Sequence, residues 1–205
     1  MRVNLEAGLR GEAMRALFTI PFLAIVPIAV VAQDQPAGTW LDSAPVEWSP
    51  PGASFPKAPQ DVEKNISPEY CKTHERPIRL KEERVVAGAG WMVFASFQGK
   101  DGLTVVGGAL SQDGMCRPDP YQYFVFVRGK FAGTLSPRLM RARSDGSVNK
   151  VSFAARGRIV ATFSRYTSVD PLCCPSRLSE VTYEIREESG GRPFVILVSV
   201  RTRPT

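Results

Sequence analysis

The sequence predicts a mainly β chain, an antiparallel sandwich or curled sheet with little helix. Three observations carry that prediction. Short apolar or alternating runs recur between Trp91 and Val200, each closed by glycine or another turn former, which is the spacing of an all-β domain. Asp101-Gly102 stands between two such runs, a strong short-range hairpin signal. Val181, Tyr183 and Ile185 alternate with Thr182, Glu184 and Arg186, the two-residue period of a half-buried strand.

Taken in order, the chain opens on an export signal. Ala16 to Ala32 is nearly all apolar, Arg15 precedes it, and Val30-Val31-Ala32 offers small residues at its exit. These are the parts of a secretory signal, and the run is shorter than the ~20 residues a spanning helix needs. Residues 1–32 are therefore expected to be a signal peptide cleaved after Ala32, with an uncleaved anchor as the rival. Glu6 and Glu12 dilute the basic character of the first residues, and Met14-Arg15 would be the more typical start. No Cys stands at the exit of the run, where Gln33-Asp34 follow Ala32, so no lipid attachment is expected there.

Residues 33–65 read as a Pro-rich tether or strap. Pro36, Pro45, Pro50, Pro51, Pro56 and Pro59 block helix and ladder hydrogen bonds, so this stretch is expected outside the core. Trp40 and Trp48 favour a strap docked on its own domain over a partner-binding segment. Residues 66–205 form the expected β domain. Short helical turns are expected over Asp61–Ile66 and Ser136–Met140, where Ser136 can cap and Pro137 suits the first helical position.

The pattern is read as β from about residue 84. Trp91–Phe97 and Leu103–Leu110 flank the Asp-Gly turn. Tyr121–Val127 is nearly continuous aromatic and β-branched sequence, as in a central strand covered on both faces. Arg128-Gly129-Lys130 turns into a short strand through Phe131. Val148–Ala154, Ile159–Tyr166, Ser179–Arg186 and Phe194–Val200 continue the series, with Gly157 and Gly190-Gly191 at turns. Val85-Val86-Ala87-Gly88 resembles Val105-Val106-Gly107-Gly108, read as two β segments of similar composition. Trp91, Val93, Phe124, Phe126, Phe163, Tyr183 and Ile185 are expected to share one core.

Cys71, Cys116, Cys173 and Cys174 form an even set in an exported chain, so two disulfides are expected, with three possible connectivities. A Cys173–Cys174 bond is disfavoured, because disulfides prefer Cα separations beyond that of neighbours. The pair is expected to bond structurally to Cys71 and Cys116; which takes which stays open, with the Cys116 bond the more secure. A redox switch lacks a Lys or His beside the pair. Metal spacing is missing and His74 is the sole histidine, so no metal and no cofactor are expected.

Gly114-Met115-Cys116 and Phe124-Val125-Phe126-Val127-Arg128-Gly129-Lys130-Phe131-Ala132-Gly133-Thr134 resemble the LppP/LprE-like bacterial cell-envelope proteins, which run from a Cys to an apolar strand and a glycine-aromatic turn. The strand Ile159–Tyr166, the Asp170-Pro171 turn and the strand Val181–Ile185 resemble the closing part of that family. The resemblance covers roughly residues 103–188. It implies an envelope location and a β architecture, and it offers no catalytic residues to carry over. Family members are mainly lipoproteins, and this chain lacks the lipidated Cys.

No enzyme signature emerges. A Ser-His-Asp hydrolase would have to use His74, in the polar stretch Lys72–Pro77, and there is no Gly-x-Ser-x-Gly elbow. Gly88-Ala89-Gly90 has no third glycine for a dinucleotide turn. Asp101, Asp113 and Asp145 precede Gly, and Asp119 and Asp170 precede Pro, which makes them turn formers. The net charge is +6, with 23 Lys and Arg against 18 Asp and Glu after Ala32. Arg138, Arg141, Arg143, Arg156 and Arg158 form a candidate patch for an anionic lipid headgroup or acidic wall polymer rather than nucleic acid; an ordinary solvated surface is the favoured alternative.

The sequence therefore predicts a periplasmic or extracellular, non-catalytic envelope protein of binding or structural role, its partner an unspecified envelope component or polymer. Membrane contact is expected only through a retained signal. A secreted hydrolase using carboxylates or His74 is the alternative.

Overall fold

Strands form where the apolar runs stand. The computed structural model describes residues 39–43, 47–62, 69–74, 76–155, 157–171 and 173–205. The expected signal, residues 1–32, lies outside them. β1 (Met92–Gln98), β2 (Leu103–Ala109), β3 (Tyr121–Val127) and β4 (Lys130–Thr134) make one antiparallel sheet in chain order. β5 (Ser147–Ala154), β6 (Arg158–Arg165), β7 (Arg177–Glu188) and β8 (Arg192–Pro204) make a second sheet in the same way.

Two turns show why the hairpins close where they do. Asp101 (φ 60°) and Gly102 (φ 73°) make the tip of the β1–β2 connection, and Arg128 (φ 51°) and Gly129 (φ 80°) join β3 to β4. Paired left-handed residues give a two-residue loop the twist that matches its strands. β3 pairs with β2 from Leu103↔Val127 to Ala109↔Tyr121 without a break, and all of β3 is buried.

Alternation along β3 divides the interior. Tyr121, Tyr123, Val125 and Val127 face the second sheet and pack with Ile159, Ala161, Phe163, Val181, Tyr183 and Leu197. Phe124 and Phe126 point the other way, into a second cluster with Val86, Trp91, Val106 and Ala58. The single core expected from sequence is thus two. Phe163, Tyr183 and Ile185 belong to the cluster between the sheets, while Trp91, Val93, Phe124 and Phe126 belong to the outer one. The outer face of the first sheet needs its own cover, which α1 (Lys81–Gly88) and the strap supply. Gly108 permits the approach: a Cβ there would lie 2.9 Å from Phe124 and Trp91 and 3.0 Å from Val86.

α1 corrects the β reading of residues 84–88. Lys81-Glu82-Glu83-Arg84 are good helix formers. The Glu83 carboxylate accepts from the backbone N–H groups of Arg79 (2.7 Å) and Leu80 (3.0 Å), one arm of a capping box. Arg76 donates to the same carboxylate at 2.6 Å. Burial opposes the ionised form of Glu83, but these backbone bonds, with Ser96 and Arg76, outweigh it and bring its pKa down to about 2.

The strap docks on its own domain, as Trp40 and Trp48 favoured, but within the core rather than outside it. Trp40, Leu41 and Ala58 are buried within the two clusters. Trp40 meets Trp48 and Phe163 edge-on at 5.5 and 5.9 Å. Trp48 donates to the Thr134 carbonyl (3.1 Å), and Trp91 donates to that of Pro56 (2.9 Å). Asp42 pairs with the buried Arg165 of β6 at 2.6 Å. Proline removes ladder hydrogen bonds without preventing docking through rings and single carbonyls.

Residues 136–140 form bends and an isolated bridge to Tyr121, not the expected helical turn. The Ser136 hydroxyl donates to the Arg138 carbonyl (2.9 Å), and the Ser136 carbonyl accepts from Gln122 and Thr134. Its polar atoms are therefore committed elsewhere than to a cap. Of the other expected turn, Asp61 and Val62 are bends, and 63–66 lie outside the described residues.

Candidate functional site

A cleft of about 1000 Å³ opens at one end of the sandwich. Four hairpin ends build it: Gln98–Asp101 of the β1–β2 turn, Arg128 after β3, Ala154, Ala155 and Gly157 of the β5–β6 turn, and Ile185 and Glu187 late in β7. Leu103, Val127, Phe153 and Ile185 make its apolar lining, and Gln98, Lys100, Asp101, Arg128 and Glu187 its polar one. Gly99 lets Phe153 close against the first sheet, since a Cβ at that position would lie 2.7 Å from the ring.

Arg128 pairs with Glu187 across the two sheets, and both side chains are exposed enough for solvent to compete. Such a pair contributes little, with a median near 0–1 kcal/mol, and its partners are cheap to separate. The cleft volume falls within the ~300–1000 Å³ range of ligand sites. A second, smaller cavity of about 250 Å³ lies between the strap and Trp91, lined also by Gln122 and Leu139.

The opposite end of the sandwich is built from loops and disulfides. Cys71 bonds Cys116, and Cys173 bonds Cys174. This corrects the expectation that Cys173 and Cys174 reach Cys71 and Cys116. Cys71 sits in the 3-10 turn Glu69–His74 beside the Asp113–Arg117 loop, where the Tyr70 hydroxyl donates to the Gly114 carbonyl. That loop is fixed by Asp113, whose carboxylate accepts from the N–H groups of Met115 and Arg117, both at 2.9 Å, and pairs with the Arg117 guanidinium at 2.6 Å. Burial raises the Asp113 pKa, and the Arg117 bonds more than reverse it, leaving it lowered. Cys116 is thereby presented to Cys71, with Cα atoms 5.3 Å apart.

The candidate arginines do not form one patch. Arg138 pairs with Asp145 at 3.2 Å and Arg141 with Asp119 at 3.1 Å. Arg143 lies over the Tyr166 ring at 4.6 Å and donates to the Asp170 carbonyl at 2.7 Å. Arg158 starts β6 at the cleft end, whereas Tyr166 follows its far end; β6 separates them by roughly 25 Å at the usual strand rise. Arg156 lies outside the described residues.

The loop carboxylates organise backbone. Asp119 accepts from the Ala142 N–H at 3.0 Å, and Asp145 from the Arg141 N–H at 3.0 Å. Asp170 accepts from the Thr167 N–H (2.7 Å) and from the Ser176 N–H (3.0 Å) and hydroxyl (2.8 Å). These bonds, that of Thr167 foremost, hold its pKa well below the usual carboxylate range. His74 ends its 3-10 turn; the placement of its side chain lies outside what the structure describes. Among the described residues, no group of three or more His, Cys, Asp or Glu is arranged to hold a metal ion. No described helix is long and apolar enough to cross a membrane.

Sequence reasoning named the arginines and the carboxylates but missed the cleft. Its lining comes from three turns and the end of β7, far apart in the chain; Asp101-Gly102, Arg128-Gly129 and Gly157 were legible as turns, but not as neighbours in space.

Comparison with known proteins adds one finding. No curated protein and no solved structure matches the chain. Residues 96–188 match the family model described as LppP/LprE lipoprotein, a span that runs from within β1 to the end of β7 and takes in the whole cleft lining. The match and the Cys71–Cys116 disulfide suggest an exported cell-envelope protein. Over residues 96–188 the chain is LppP/LprE-like.

Proposed function

We propose that the chain is an exported, non-catalytic cell-envelope protein that binds an amphiphilic envelope component in the cleft at the hairpin end. The observation that carries this reading is the lining itself. Leu103, Val127, Phe153 and Ile185 offer an apolar wall, and Lys100 and Arg128 stand beside it. An acyl or other apolar portion would lie along the wall, gaining about 25 cal/mol per Å² of buried apolar surface. An anionic headgroup would replace Glu187 on Arg128 at small cost, because that ion pair is solvent-exposed. Export supports the reading, since such molecules are envelope constituents.

Native mass spectrometry of the protein, purified without detergent from the exported fraction, tests it. The expected result is a bound amphiphile that Ile185→Glu releases while its circular dichroism stays unchanged. A wild-type protein that carries none, and binds no added lysophospholipid, would overturn the reading.

A second reading is a secreted hydrolase working through carboxylates. One observation favours it: Asp101 and Glu187 line the same cleft. Turnover of a glycoside or ester panel that Asp101→Asn and Glu187→Gln abolish would replace binding with catalysis.

A further inference from the structure

Two disulfides close this chain, and they stand in different situations. Cys71 is fully buried, beside the Asp113–Arg117 loop. Cys173 and Cys174 are both exposed. The first bond links residues 45 apart, whereas the second links chain neighbours. A cross-link stabilises chiefly by closing a loop in the unfolded chain. A bond between neighbours closes almost none, so Cys173–Cys174 is not explained as a staple.

The loop that carries the pair is held without it. Asp170 gathers the Thr167 N–H and the Ser176 N–H and hydroxyl. Arg143 donates to the Asp170 carbonyl at 2.7 Å and to that of Pro171 at 3.4 Å, its guanidinium over Tyr166. Thr205 donates its N–H to the Ser176 carbonyl at 3.1 Å. The backbone on both sides of the pair is thus anchored by hydrogen bonds that opening the disulfide leaves in place.

We propose that Cys173–Cys174 is a thiol–disulfide exchange site that accepts two electrons from an external dithiol. The reductant's thiolate attacks one sulfur and releases the other as a thiolate, which takes up a proton. The reductant's second thiol, losing its proton, then displaces the protein sulfur from the mixed disulfide. The reductant leaves as a disulfide, and the protein holds two thiols. The absence of Lys or His near the pair does not stand against this, because a low thiol pKa favours an attacking group, and here the dithiol attacks. What the protein must supply is access to a sulfur; Cys173 and Cys174 are both exposed, whereas Cys71 is fully buried and Cys116 half-buried.

Limiting dithiothreitol on the native, oxidised full chain, quenched with iodoacetamide and mapped by peptide mass, tests the site. The expected result is carbamidomethylation of Cys173 and Cys174 at least tenfold faster than of Cys71 and Cys116. A second arm adds phenylarsine oxide to the partly reduced protein. One equivalent is expected to bind across the two new thiols, with loss of water, and none to bind Cys173→Ser/Cys174→Ser. That double variant is expected to keep the wild-type circular dichroism spectrum. Equal rates for the two bonds, earlier opening of Cys71–Cys116, or disulfide peptides joining Cys173 or Cys174 to Cys71 or Cys116 would overturn the proposal.

Discussion

At the scale of single residues, the burial of side chains decides what each contributes. Phe124 is fully buried, with Phe55 at 4.8 Å and Trp91 at 5.1 Å between ring centroids. Phe124→Ala is therefore expected to cost about 3–5 kcal/mol in urea denaturation; a loss below about 1 kcal/mol would mean the outer cluster is not packed as described. The sequence marked Phe124 as core from the apolar run around it. It did not reveal that Phe124 and its neighbour Val125 serve different clusters, because a strand buried on both faces loses the polar alternation that assigns its sides. Glu83 carries the clearest dependence on pH. Its folded pKa of about 2 lies below the ordinary 4.5, so its stabilisation is present above pH 4.5 and fades as the pH falls toward 2. Thermal melts of the wild type are expected to drop across that window, and those of Glu83→Gln to drop less while starting lower at pH 7. Identical acid profiles would contradict the role of this carboxylate.

At the scale of elements, the strands were legible and the covers were not. Tyr121–Val127 stands as read, because seven consecutive aromatic, β-branched and glutamine side chains suit a paired central strand. Helix α1 escaped because Val85-Val86-Ala87-Gly88 carries no period long enough to separate helix from strand; the Glu three residues after Leu80 was the signal available. The strap was read from its prolines, but buried Trp40, Leu41 and Ala58, with Trp48 and Phe55 packed beside them, dock it within both clusters. Trp40→Ala is expected to cost about 3–5 kcal/mol, read by chemical denaturation, since the ring contacts both Trp48 and Phe163. A surface-like change within about 0.5 kcal/mol would show the strap to be dispensable. The disulfides belong to this scale as well. Sequence spacing excluded no pairing, and the preference against neighbours was overridden by the Asp113–Arg117 loop, which delivers Cys116 to Cys71. Removing Cys71–Cys116, whose residues lie 45 apart, is expected to cost on the order of 4 kcal/mol in the chain-entropy model, against far less for the neighbouring pair. Equal losses in the two double-serine variants would contradict that assignment.

At the scale of the whole molecule, two meander sheets bring four hairpin ends together and leave an amphiphilic cleft between them. No local motif announces such a site, because its residues converge only when both sheets have formed. The candidate arginines show the converse: close in sequence, they are divided between loop buttresses at one end and Arg158 at the other. Export bears on the same claim. Intact-mass analysis of the exported protein is expected to give a chain beginning at Gln33, and retention of residues 14–32 would contradict cleavage after Ala32. The central claim, that the cleft binds an amphiphile, is tested most directly by backbone amide NMR during titration with a lysophospholipid kept below its micelle threshold. The account predicts saturable shifts concentrated at residues 98–103, 127–128, 153–157 and 185–187; shifts spread evenly over the surface, or confined to the loop end around Arg143 and Tyr166, would contradict it.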